Sequence, residues 1–129
     1  MFNIFDLFGL GATQRYSVSS ATAEKIQKDW QYIKTLTDGG TPAQLKQALI
    51  TADRSLDTAL KDFANGETMG ERLKDVSKKF DNDVYNKIWQ AHKVRNSLVH
   101  ESNFEPPHFM LIQNIEIFRK ALLSLGVRI

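Results

Sequence analysis

Apolar residues recur along most of this chain at the spacing of one face of a helix. Leu45, Ala48, Leu49, Ala52, Leu56, Ala59, Leu60 and Phe63 follow i, i+3, i+4 and i+7 steps, which predicts one long amphipathic helix. Thr41-Pro42-Ala43-Gln44 opens it with an N-cap, a proline at the first helical position and a capping-box glutamine. Asn65-Gly66 closes it. An earlier helix, from Ser19 or Ser20 to Thr37, sets Ala23, Ile26, Trp30 and Ile33 on one face and stops at Asp38-Gly39-Gly40. Thr68-Met69-Gly70-Glu71 is a second capping box, opening a short helix that reaches about Lys79. Asp81 is placed to cap a helix over about Asp83 to Glu101. Glu105-Pro106-Pro107 divides it from a last helix, about His108 to Leu125, with Gly126 at C′. There Phe109, Leu111, Ile112, Ile115, Phe118, Leu122 and Leu125 cover too wide an arc for one neighbour to bury, so this helix belongs at the bundle centre or at a subunit interface. Strand-like alternation is absent. The pattern predicts an all-α fold: an antiparallel bundle of four main helices plus one short helix over residues 17–129, behind an apolar arm over residues 1–16.

Composition narrows the function classes. With 129 residues the chain suits one domain with a sizeable core, and 42% hydrophobic with 25% charged residues is ordinary for a soluble protein. A formal net charge of +2 does not itself indicate nucleic acid. Between Glu71 and His100, however, seven Lys/Arg residues stand against four acids, a weak basic patch. The chain has no cysteine, which excludes disulfides and thiolate metal sites and is compatible with a cytoplasmic setting. No stretch approaches the ~20 apolar residues of a membrane span. The N-terminal run is apolar, but it lacks a basic leader and carries Asp6, so a signal peptide is not expected. Phe2, Phe5 and Phe8, with Ile4 and Leu7, read as an arm that docks on its own domain or on a sister subunit, with interfacial membrane binding the lesser reading because no cluster of basic residues supports it.

The helix after Asp81 breaks its own pattern. At roughly 100° per residue, Val84, Ile88, Trp89, Ala91 and Val99 form its apolar arc. Arg95 falls between Val84 and Ile88 on that wheel, and His92, Asn96 and His100 occupy the arc's other side. Asn86, Lys87, Gln90, Lys93, Ser97 and Glu101 make the solvent face. A guanidinium in a buried stripe is costly unless paired, and such local violations often mark functional sites. Arg95 and His100 are about 140° apart around the axis and ~7.5 Å along it, so they meet one small atom only if the arginine swings across. Asn96 and His100, at i and i+4, are neighbours that can orient each other. His92 and His100 lie two turns apart, about 12 Å, and cannot chelate one metal. No H-E-x-x-H and no Gly-rich phosphate loop is present, so no metal or cofactor is expected.

Arg95-Asn96-Ser97-Leu98-Val99-His100 resembles the Arg-polar-x₃-His motif of the HEPN superfamily, small helical domains often found as metal-independent endoribonucleases. Ile88 to Asn96, the pairs Ala52-Asp53 and Leu56-Asp57, and Gly66 to Leu73 are similar to segments of small bacterial HEPN-like proteins. The likeness spans roughly Pro42 to Gly126. It implies a homodimer whose two motif helices face each other across a cleft, with RNA or a nucleotide as ligand. Arg95 would bind phosphoryl oxygens through its planar fork, His100 would act as base or acid, and Asn96 would position His100 or the ribose. His92, Lys93 and Asp53 would support them. A two-fold axis would supply the second His100 that acid and base catalysis together require.

The same residues admit a non-catalytic reading. Arg95 can be a buried structural cation paired with Asp53 or Asp57, His100 a helix C-terminal residue satisfying last-turn carbonyls, and His92 a hydrogen-bonded core or interface histidine. The chain is then a helical interaction module. A third reading makes it the HEPN partner of a separate nucleotidyltransferase. In some such toxins a tyrosine two residues after the motif histidine is modified with nucleotide; Ser102 stands at that position here.

Overall fold

The computed structural model of the protein describes residues 17–129. The expected docking of Phe2, Ile4, Phe5, Leu7 and Phe8 lies outside these residues. All regular structure among them is helical: α1 (Ser20–Gly39), α2 (Pro42–Phe63), α3 (Met69–Asp75), α4 (Asn82–His100) and α5 (His108–Ser124), with a single 3₁₀ turn at Ser77–Lys79.

The boundaries have local causes. Ser19 caps α1, its hydroxyl accepting from the Thr22 amide, and Gly40 ends the helix at φ 70°, a left-handed conformation that suits glycine. Both capping boxes form: Thr41 with Gln44 on α2, and Thr68 with Glu71 on α3. The short helix does not run unbroken to Lys79. It ends at Asp75, and Val76 turns the chain into the 3₁₀ segment so that its own side chain and that of Phe80 are buried. Asp81 occupies the N-cap position of α4 without making a side-chain capping bond, contrary to expectation. Gly126, at φ 84°, lets the Val127 amide reach back to the Leu122 carbonyl and close α5.

The centre of the bundle is α2. Leu45, Ala48, Leu49, Ala52, Leu56, Ala59 and Leu60 are all sealed, and α2 packs against each of the other four helices. α1 runs antiparallel to it, as the bonds from the Trp30 indole to Ser55 and from the Ser19 amide to Asp62 require. α4 also opposes α2: Asp53 meets His92, whereas Lys46, two turns earlier, meets Glu105 beyond the end of α4.

α5 buries Leu111, Ile115, Phe118, Ala121 and Leu122 but leaves Phe109 62% and Ile112 38% exposed, so its apolar arc is only partly covered. On α4, Ile88 and Ala91 are buried. Val99 is not: it is 49% exposed, because Val94 and Leu98 instead continue the inward line through the last turns. No helix of the described residues is long and apolar enough to cross a membrane.

Leu56 is fully buried at mid-length in the central helix. Leu56→Ala is expected to cost about 2–5 kcal/mol in urea unfolding, from lost transfer energy plus the cavity left behind. A loss under about 1 kcal/mol would contradict the placement of α2 at the core.

Candidate functional site

Asp53 and Asp57 stand one turn apart on α2, at the edge of its apolar stripe. Each receives an arginine from a different element. Asp57 takes Arg72 of α3 through two parallel bonds, Nε to Oδ1 at 2.8 Å and Nη2 to Oδ2 at 2.9 Å. The third arm of Arg72, Nη1, donates to the Gly66 carbonyl at 2.9 Å. The hydrogen bond with Asp57 raises the Arg72 pKa above its ordinary value, more than burial lowers it, so this cation stays charged throughout the biological range.

Asp53 faces α4. Its side chain is only 4% exposed, with Oδ1 2.8 Å from His92 Nδ1 and Oδ2 3.4 Å from Arg95 Nε. The second contact is an ion pair without hydrogen-bond alignment, and Arg95 Nε is buried with no bond of its own. The fork is steadied instead by Asn96, whose Oδ1 accepts from Arg95 Nη1 at 3.0 Å. Asn96 thus orients Arg95 and makes no bond to His100. The Arg95 side chain remains 30% exposed, and its Nη2 bonds no described residue.

These groups line an open groove of about 500 Å³ between α2, the start of α3 and α4. Asp53, Asp57, Arg54, His92, Arg95 and Asn96 supply its polar wall, and Thr68, Met69 and Gly70 the opposite side. Arg54 leans outward to Asp29 at 3.4 Å. An aromatic ladder on α4 backs the groove: Tyr85 meets Trp89 edge-on at 6.3 Å, and Trp89 meets the His92 ring edge-on at 6.1 Å. Gly70 allows that packing, since a Cβ there would lie 3.1 Å from Trp89 Cη2.

Of the residues singled out from sequence, Asp53, His92, Arg95 and Asn96 come together. Two do not. Lys93 is exposed and does not line the groove, because it falls opposite Ala91 and Arg95 on α4. His100 is exposed at the last residue of α4, away from the groove lining. A second cleft of about 540 Å³ lies between α4 and α5, around Lys87, Gln90 and Lys120, and holds none of these residues. Its size is comparable, but the paired charges and the buried carboxylate make the α2–α4 groove the better site. Arg72 was missed from sequence. The available signal was Asp57 itself, a second carboxylate at the edge of the stripe needing its own cation.

Arg72→Met leaves the Asp57 carboxylate without its partner. The expected loss is about 2–3 kcal/mol, less than for a fully sealed pair because the Asp57 side chain keeps some contact with water. Glu24→Gln, which removes an exposed pair with Lys28, should leave the urea midpoint nearly unmoved. Equal effects of the two substitutions would show that the Arg72–Asp57 pair is not structural.

Compared with protein-family models, with curated proteins and with solved structures, the chain matches none.

Proposed function

We propose that this chain acts as a HEPN-like homodimer in the cytoplasm that binds RNA and cleaves it without a metal, with Arg95 as the phosphate-binding cation. The observation that carries the reading is the state of Arg95. Asn96 and Asp53 hold the guanidinium at the wall of an open groove, yet Nη2 bonds none of the described residues. A purely structural cation would use its donors within the protein, as Arg72 does with Asp57 and Gly66. An oriented fork with spare donors suits a phosphoryl group, whose developing charge it can stabilise in a partly dehydrated site. His100, exposed at the end of α4, is accessible to a second copy or to a ligand, and near neutrality imidazole can give or take a proton.

A second reading has its own observation. Asp53 already sits within 3.4 Å of Arg95 and 2.8 Å of His92, so the carboxylate offsets much of the local positive charge. On that ground the cluster is a polar network fixing the register of a non-catalytic interaction module, free-standing or partnered with a nucleotidyltransferase.

Purified protein incubated in EDTA with structured and single-stranded RNAs separates the two. The nuclease reading expects cleavage that falls ~10²–10³-fold in Arg95→Ala and ~10²–10⁴-fold in His100→Ala, with helicity retained by circular dichroism. Folded variants that cut as the wild type does would sink it.

A further inference from the structure

The groove contains a histidine to which the RNA-cleaving reading gives no chemical role. His92 lies three residues before Arg95 on α4, so the two project to neighbouring positions on one face. One buried carboxylate touches both: Asp53 Oδ1 at His92 Nδ1 and Asp53 Oδ2 at Arg95 Nε. An ionised carboxylate only accepts, so Nδ1 must carry the proton, and the lone pair of the neutral ring falls on Nε2. Nε2 bonds no described residue. Trp89 packs against the ring in a T-shaped pair and Asp53 pins it, while the side chain keeps 14% of its surface open and lines the groove. The charged groups around it are few. α2 brings Asp53, Asp57 and Arg54, α4 brings Arg95, and α3 brings Arg72, already bound to Asp57.

We propose that His92, oriented by Asp53, is the general base of this site, acting on a ribose 2′-hydroxyl beside the phosphate that Arg95 holds. The inference rests on the RNA-cleaving reading and assigns the proton transfers within it. His92 Nε2 takes the 2′-hydroxyl proton, and the freed electron pair on O2′ forms a bond to phosphorus. The bond from phosphorus to O5′ breaks with its electron pair on O5′, which receives a proton from the imidazolium of His100. The products are a 2′,3′-cyclic phosphate and a 5′-hydroxyl. His100 lies eight residues beyond His92, about 12 Å along the helix axis. The two histidines of one chain therefore do not flank one phosphodiester, and the acid comes from a second copy. Base and acid differ in surroundings, one pinned by a carboxylate in a groove and the other exposed at the end of α4. Asp53 is a positioning residue that sets the tautomer and, through the same carboxylate, the spacing of base and cation.

The test uses the full chain on a single-stranded oligoribonucleotide in EDTA, with kcat and KM measured from about pH 5 to about pH 9. His92→Gln is expected to lower kcat ~10²–10⁴-fold with KM little changed, and to abolish the rising limb of the pH profile. Asp53→Asn is expected to lower kcat and displace the same limb, and Asp53→Glu to restore part of the loss. Imidazole nitrogen NMR of the wild type is expected to show His92 protonated at Nδ1 when neutral and perturbed by a 2′-deoxy oligomer that cannot be cut. A His92→Gln protein with wild-type kcat and an intact rising limb, beside an inactive Arg95→Ala protein, would overturn the role of His92 and leave the RNA reading standing. Should His92→Gln fail to fold, a neutral ring protonated at Nε2 in the wild type overturns it equally. A wild type that cuts no RNA overturns the RNA reading and this inference with it.

Discussion

Asp53 places a carboxylate on the most buried helix of the bundle, next to Ala52 and one turn before Leu56, where another apolar side chain would otherwise fit. Taking an ionised carboxylate out of water costs several kcal/mol unless a cation and hydrogen bonds answer it. α4 supplies the answer from His92 and Arg95, and to do so it must turn toward α2 the arc that also carries Ile88 and Ala91. The rotation of α4 about its own axis is thereby set by a polar contact as well as by packing. Rotated by one residue, about 100°, α4 would leave Asp53 buried without a cation and Ile88 at the surface.

The neighbouring pair shows what is particular about Arg95. Asp57 and Arg72 meet bidentately, and each of the three guanidinium nitrogens bonds to protein. That closed arrangement ties α3 and the Gly66 turn to α2. Asp53 and Arg95 meet at 3.4 Å out of alignment, with a buried Nε unbonded and, among the described residues, no partner at Nη2. One turn of one helix therefore carries both a finished ion pair and an unfinished one. An unfinished pair beside an open groove is tolerated when something else completes it, which makes the groove the place to look for a ligand.

Much of this was legible in the sequence, since each legible feature rests on local periodicity. The wheel of α4 put Arg95 among apolar neighbours, and the stripe of α2 offered Asp53 and Asp57 as acceptors; the choice between them depended on where α3 lies. Arg72 reaches Asp57 only because the chain reverses at Asn65-Gly66, and no period encodes that reversal. Val99 was misjudged for a related reason. A wheel gives angles about one helix and not which angle meets a neighbour at each turn, and the inward line passes from Ile88 and Ala91 to Val94 and Leu98. Asn96 was assigned to His100 by its i+4 spacing, yet the longer arginine side chain next to it reached its oxygen first. The HEPN resemblance drew attention to a pair, Arg95 and His100, that a single subunit does not bring to one groove.

A seven-residue helix borders the groove. α3 contributes few core side chains, but Met69 is buried under the site and Gly70 lies against the Trp89 indole. A side chain at Gly70 would meet Trp89 Cη2 at 3.1 Å, so the indole that packs against the His92 ring would have to give way. Arg72, two residues on, anchors α3 to α2 through Asp57. The imidazole is thus held by a carboxylate on one side and, through Trp89, by the backbone of α3 on another, with both supports fastened to α2. A histidine serving only to fill space would need neither support. One that must present a single nitrogen to a ligand gains from both, because each degree of freedom removed from the ring beforehand need not be lost on binding.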